Sequence, residues 1–478
     1  ILRRKILPCV SFFVKAFACK IFLDPTRHPD IQYPKNPLSL SFISSIIIQI
    51  KLKIMRTKAL ILSLIFCSLT IFSQEKIKTG FGFGAIPAVS FDSDLGFQYG
   101  AIVNLFHYGD GSRYPKYDHS LYLEWSRYTK GTGINRIMYD SEKLIPNIKT
   151  TVDVTYFTDQ MLSFYGFNGY QSVYDENQSR LFNSMERNMF RAKADVQGNF
   201  GSSKFGWVGG YSFYHFDMDS VNIDKLGLDA EPGGSLYQRY VKHGVIGVDE
   251  ANGGYINYLK IGLKYDSRDQ QAFASQGIWT EAVIQSAPGF INPFPHTKFA
   301  LIHRQYFPII KNDMVFAYRL TYQATVGKSK VPYYAQPLLI TSFLTAAENQ
   351  GLGGKRSLRG VMRNRVIGND IAFGNFEFRY KFFKFSLFNQ NFYLGTNVFF
   401  DSGVILRPIA IEGFDIMTQE VKDELMLTDY KSGKFHNSAG IGLKIGWNEN
   451  FIISVDHGRS LNREDGVAGT YVNLNYMF

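Results

Sequence analysis

From about residue 82 to the end, apolar and polar residues alternate with a period of two, in segments of ten or more residues. In SAGIGLKIGW, Ala439, Ile441, Leu443, Ile445 and Trp447 share one face, and Ser438, Gly440, Gly442, Lys444 and Gly446 share the other. In NFEFRYKF, Phe376, Phe378, Tyr380 and Phe382 oppose Asn375, Glu377, Arg379 and Lys381. In TYVNLNYMF, Val472, Leu474, Tyr476 and Phe478 oppose Asn473 and Asn475. The pattern predicts strands at 82–92, 95–108, 118–131, 134–146, 147–160, 189–203, 205–218, 254–269, 277–288, 296–310, 313–327, 370–385, 390–403, 434–448, 450–460 and 468–478.

Alternation by itself fits any half-buried sheet. The segments are long enough for the about nine to eleven residues that a tilted strand needs to cross a bilayer. Their polar face carries charges, amides and glycines, as a wet lumen would, and Tyr and Phe cluster near strand ends. A bilayer admits only helices or closed barrels, because open edges leave backbone groups unpaired. The expected fold is therefore all-β: a transmembrane antiparallel β-barrel of about 16 strands. Short turns such as DSDLG at 92–96 alternate with long loops at 161–188, 219–253, 328–369 and 404–433. The long loops are expected on the outside and the short turns in the periplasm.

The N-terminal part has a different character. The first methionine is Met55, and MRTKALILSLIFCSLTIFSQ has the charged start, short apolar core and small-residue end of a secretory signal peptide. The expected division is 1–54 as a non-native upstream segment, 55–73 as signal peptide and 74–478 as the barrel. Residues 1–73 hold eleven of the 52 Lys/Arg and two of the 41 Asp/Glu, so the rest has 41 basic and 39 acidic residues, a formal charge of +2. The high overall pI thus gives no reason to expect a nucleic-acid partner. Cys9, Cys19 and Cys67 also lie in that first part, which leaves no thiol chemistry for 74–478.

GLGGKRSLRGVMRNRVIG, residues 351–368, contains Lys355, Arg356, Arg359, Arg363 and Arg365 and no acid. Glycines at both ends mark it as a loop. A phosphate-binding loop needs glycine five positions before Gly354 and Ser or Thr after Lys355; Asn349 and Arg356 stand there instead. Two other readings are a grip on lipopolysaccharide phosphates by Lys355, Arg356, Arg363 and Arg365, and a solvated loop without a specific partner. Asp266 and Asp269 flank Arg268 with no histidine nearby, which favours a strand-end ion pair over a metal site. No HExxH or GxSxG pattern occurs, so no cofactor, metal or catalytic group is expected.

Four motifs carry a resemblance across 80–478: YDSRD (265–269) followed by Gly277, SLRG (357–360), NFEFRY (375–380) and FDSG (400–403). In this order and spacing the chain resembles the barrel of the bacterial surface antigen family, the BamA and TamA outer-membrane assembly factors and their relatives. The resemblance implies a long loop folded into the lumen, with Arg359 and Gly360 at its tip and Arg359 paired to inward Glu377 and to Asp401. It also implies a weak seam joining roughly 82–92 with 468–478, loosened by Gly82 and Gly84, and a C-terminal signal at Tyr476 and Phe478. Val361 departs from the family, which carries an aromatic residue there, and no POTRA module is read before the barrel.

The implied function is assembly, insertion or translocation of proteins at the outer membrane of a Gram-negative bacterium, without enzymatic activity. The partners would be outer-membrane lipid and lipopolysaccharide, client outer-membrane proteins and a periplasmic accessory protein. The alternative is a passive channel or surface-exposed structural barrel.

Overall fold

The computed structural model describes residues 79–114, 116–270, 273–341, 351–387, 390–429, 433–447, 451–474 and 476–478. The upstream segment at 1–54 and the signal peptide at 55–73 lie outside the described residues.

The chain forms one closed antiparallel sheet. Its strands are β1 (Phe81–Pro87), β2 (Ser90–Asp92), β3 (Gly96–His107), β4 (His119–Tyr128), β5 (Thr132–Ile145), β6 (Ile148–Ser163), β7 (Ser184–Asn199), β8 (Phe205–Asp219) and β9 (Gly253–Asp266). They continue as β10 (Gly277–Ala287), β11 (His296–Ile310), β12 (Met314–Thr325), β13 (Asp370–Leu387), β14 (Gln390–Arg407), β15 (His436–Trp447), β16 (Phe451–Ser460) and β17 (Ala468–Leu474). β1 and β2 run in succession along β3, so they are two pieces of one stave and the barrel has sixteen. Among the described residues no helix is long and apolar enough to cross a membrane.

The alternation predicted from sequence is inverted relative to a soluble sheet, with the apolar face outward. In β15, Ile441 is 62% exposed while Lys444 is fully buried inside. The lumen holds charge in pairs: Arg191 lies 2.6 Å from Asp153, Lys260 2.7 Å from Asp195 and Arg304 2.8 Å from Glu281. An unpaired buried ion is costly, so these charges sit against neighbours of opposite sign, while buried Lys298 and Arg319 are held by amide and carbonyl oxygens instead.

Four long loops share a second core at one end, and the DSDLG turn, expected at the opposite, periplasmic end, lies here too, with Leu95 in the same core. Phe164 and Phe167 follow β6, Tyr237 and Tyr240 follow β8, Tyr333 and Tyr334 follow β12, and Phe414 and Leu425 follow β14. The Phe164 and Tyr240 rings meet edge to face at 5.3 Å, and the Tyr237 hydroxyl donates to Ala251 O at 2.6 Å.

Several predicted strands shift at their ends, as β7 does from 189–203 to Ser184–Asn199 and β14 from 390–403 to Gln390–Arg407, and the first and last differ in kind. The first breaks after Pro87, which lacks an N–H for the ladder, and resumes at Ser90. The last ends at Leu474, which is 54% exposed on the outer face, whereas Tyr476 is buried. Continued alternation would have put Tyr476 outside with Leu474; the end of the chain instead turns into the lumen.

Candidate functional site: the lumen loop and the seam

The connection between β12 and β13 enters the lumen because it carries its own apolar core. Leu352, Leu358, Val361 and Val366 are fully buried and pack with Ile371 and Phe373 of β13. Paired backbone hydrogen bonds between Leu352 and Val366 close the segment into a hairpin. Val361, which stands where the resembled family carries an aromatic residue, fills this core.

The core presents Arg359 to the wall. Its Nε and Nη2 donate to Asp401 Oδ2 and Oδ1 at 2.9 and 3.0 Å, a two-pronged fork. The Arg359 backbone N–H adds a third bond to Asp401 Oδ2 at 3.0 Å. Nη1 lies 2.6 Å from Glu377 Oε1, a charge contact outside hydrogen-bond alignment. Asp456 Oδ2 is 3.7 Å away, and the guanidinium carbon sits 3.5 Å from the centre of the Phe399 ring. Arg379 donates to Glu377 at 2.8 Å and Lys444 to Asp456 at 2.6 Å, so three cations face three carboxylates.

Gly360, at φ 94°, lies flat against the backbone of Gly458 in β16. The other basic residues of the loop also point inward. Lys355 Nζ is 3.1 Å from Asp92. The Arg363 N–H donates to Asp94 at 3.3 Å, and its guanidinium is 3.6 Å from Asp159. Fully buried Arg365 donates to Gly169 O and Ser172 O at 3.0 and 2.9 Å. These engagements oppose both the lipopolysaccharide-phosphate reading and the solvated-loop reading of Lys355, Arg363 and Arg365.

Beside the loop runs the seam. β2 and β17 register at two residue pairs, Tyr471↔Asp92 and Val472↔Phe91. The Ser93 N–H adds a bond to Thr470 O at 3.0 Å. Every other neighbouring pair of staves shares at least seven registered residues, as β16 and β17 do from Ile453↔Leu474 to Arg459↔Ala468. The expected seam of 82–92 against 468–478 is thus corrected to this short contact. Gly82 and Gly84 lie in β1, which registers against β3 alone among the described residues. Tyr476 and Phe478 are off the wall: Tyr476 packs with Phe273, and Arg379 donates to Phe478 O at 2.9 Å.

At the YDSRD turn, Arg268 forks onto Asp266 at 2.9 and 2.7 Å and stacks on Trp279. Asp269 differs from the expected three-residue ion pair. It accepts from the Ser275 N–H and side-chain hydroxyl at 2.9 and 2.5 Å and from the Gln276 N–H, and so caps the turn. Among the described residues, no group of three or more His, Cys, Asp or Glu is placed to hold a metal.

Sequence reasoning did not single out Asp92, Asp94, Asp456 or Tyr471. The available signal was two aspartates, two residues apart in the first turn, in a chain whose longest loop tip is purely basic. Burial raises the Asp94 carboxyl from its ordinary 3.8 to about 7, with Asp92 adding to the rise and Arg363 and Lys130 opposing it. An acid with a raised pKa binds more protons in the folded state. Its stabilising contribution is full below pH 3.8 and is lost as pH rises through about 7. We expect the loop and first turn to resist trypsin better at pH 5.5 than at pH 8, with Asp94→Asn flattening the difference. A wild-type cleavage rate corrected for trypsin's own pH profile that rises on acidification would contradict this.

An apolar exterior, a charged interior and sixteen antiparallel staves define an outer-membrane β-barrel. The chain belongs to the Omp85 superfamily, whose domain matches residues 150–476. Among solved structures it is similar to BamA from Haemophilus ducreyi lacking POTRA domains 1–3, at 15% identity and TM-score 0.52, over 83% of this chain and 70% of that one. It is also similar to CdiB from Escherichia coli, at 10% identity and TM-score 0.49, over 84% of this chain and 64% of that one. None of the curated proteins matches it. At 15% identity the likeness to the BamA structure speaks to the fold alone.

Proposed function

We propose that this barrel assists the assembly, insertion or translocation of proteins at the outer membrane, working through its seam and without a catalytic step. The observation that carries the reading is the contrast between the two-pair contact of β2 with β17 and the long ladders elsewhere. A strand edge held by so few hydrogen bonds is available to template an incoming strand through main-chain bonds. Its partners in this reading are outer-membrane lipid and lipopolysaccharide, client barrel proteins and a periplasmic accessory protein. The passive-channel alternative is opposed by a lumen occupied by the loop and the Tyr476–Phe478 end beneath an aromatic layer.

The test is quantitative proteomics of purified outer membranes after depletion of this protein. Broad loss of other barrels is the expected result for a general assembly factor, and loss of one or two proteins would identify a dedicated client. An unchanged membrane proteome would overturn the assembly reading.

A further inference from the structure

The seam pair Tyr471↔Asp92 has a property not shared by a bare strand contact: both of its side chains hold the same loop. On the β2 side, Asp92 receives Lys355 at 3.1 Å, and Asp94 just beyond it receives the Arg363 N–H. On the β17 side, the Tyr471 hydroxyl accepts the Gly360 N–H at 3.2 Å, and the Met362 N–H donates to Asp465 O, between β16 and β17, at 2.9 Å. We propose that the lumen loop is a staple across the seam, so that separation of β2 from β17 and release of the loop from the first stave are one coupled event. The inference rests on the reading that the seam opens, and it names what regulates the opening.

The geometry also says which half of the staple yields. Arg359 fixes the loop to Asp401 and Glu377, on β14 and β13. Those strands are joined to β17 by unbroken ladders through β15 and β16. When β2 parts from β17, the loop keeps this hold and its hold on Asp159 of β6 and on Gly169 and Ser172 beyond β6, and it is the first stave that pulls away from it. The contacts that must break are Lys355 with Asp92 and Arg363 with Asp94. Both carboxylates are then left without their loop partners, which opposes opening more than two ladder rungs do. Loop position and seam state are thereby linked, and the linkage is reciprocal: whatever shifts one shifts the other.

The test uses the whole protein in liposomes with no client present, so it is independent of whether the barrel has assembly activity. Phe91→Cys with Val472→Cys places two thiols at a registered outward pair, and oxidation locks the seam. Loop release is read as trypsin cleavage after Lys355, Arg356 or Arg363. We expect the oxidised form to be cleaved more slowly than the reduced form, by a factor within the roughly 5- to 150-fold range of typical couplings. Equal rates in the two forms would overturn the proposal. In the reverse direction, Lys355→Gln in a Val472→Cys background should speed maleimide labelling of that thiol, and Lys355→Arg should restore the slow rate. Labelling unchanged by Lys355→Gln would also overturn it. Where Lys355→Gln fails to fold, the disulfide comparison stands alone, since it leaves the loop intact.

Discussion

Replacing Arg359 with alanine is expected to destabilise the barrel by about 3–5 kcal/mol, the usual cost of removing one member of a buried ion pair. The balance of charge explains the size. Arg359, Arg379 and Lys444 face Glu377, Asp401 and Asp456, and all six are buried. Removing Arg359 leaves Asp401 without its fork and the cluster with an excess negative charge. It also uncovers the Phe399 ring on which the guanidinium rests. Arg359→Lys keeps the charge but cannot reproduce two parallel bonds to one carboxylate, so it should fall between wild type and alanine. Thermal unfolding in detergent micelles measures the loss, and tryptic cleavage of the loop tells local release from global unfolding. An alanine variant as stable and as protease-resistant as wild type would show that the fork does not hold the loop.

The second large effect is expected at Gly360. A Cβ there would lie 2.5 Å from the Gly458 carbonyl carbon and 2.6 Å from the Arg459 nitrogen, both backbone atoms of a paired strand. The φ of 94° adds strain of about 1–3 kcal/mol for any residue with a side chain. Crowding a packed site costs about another 1–3 kcal/mol. Gly360→Ala should therefore expel the loop tip and weaken Arg359's hold on Asp401. Gly458→Ala separates the two causes. Its Cβ would meet the Arg359 carbonyl oxygen at 2.5 Å, so it reproduces the crowding without the φ strain at residue 360. We expect both variants to expose the loop to trypsin, the first more than the second. If Gly458→Ala is indistinguishable from wild type, the close approach of loop to wall is not a constraint.

Much of the barrel was legible because a membrane imposes a strict rule on each strand. Lys444 must face in and Ile441 out, and a period of two records that choice residue by residue. The facing of Glu377 followed from the same rule, while the loop's place in the lumen came from resemblance. Its apolar core is four separated residues, Leu352, Leu358, Val361 and Val366, with no regular period to reveal it. The seam was harder. Period-two alternation in TYVNLNYMF continues through Tyr476 and Phe478, but the inward socket of Phe273, Tyr306 and Tyr393 is assembled from three distant strands and turns. Local pattern carries no record of such a competitor. The first strand was expected to run unbroken over 82–92, although Pro87 lies within it, because a proline in a strand pattern does not tell how far pairing resumes.

The aromatic layer over one end has a consequence for the order of folding. Its core draws on connections that follow β6, β8, β12 and β14. Rings from different loops bury one another, as Phe164 with Tyr240 and Tyr237 with Tyr333 do, so the layer is complete only when strands far apart in the chain have already paired. Contacts of such long sequence separation form late, because closing large loops costs entropy before the contact repays it. The outer mouth should therefore be sealed at the end of folding, after the wall is largely built. Until that moment the nascent barrel is open at the top, and the lumen loop has a free route into the position it later staples.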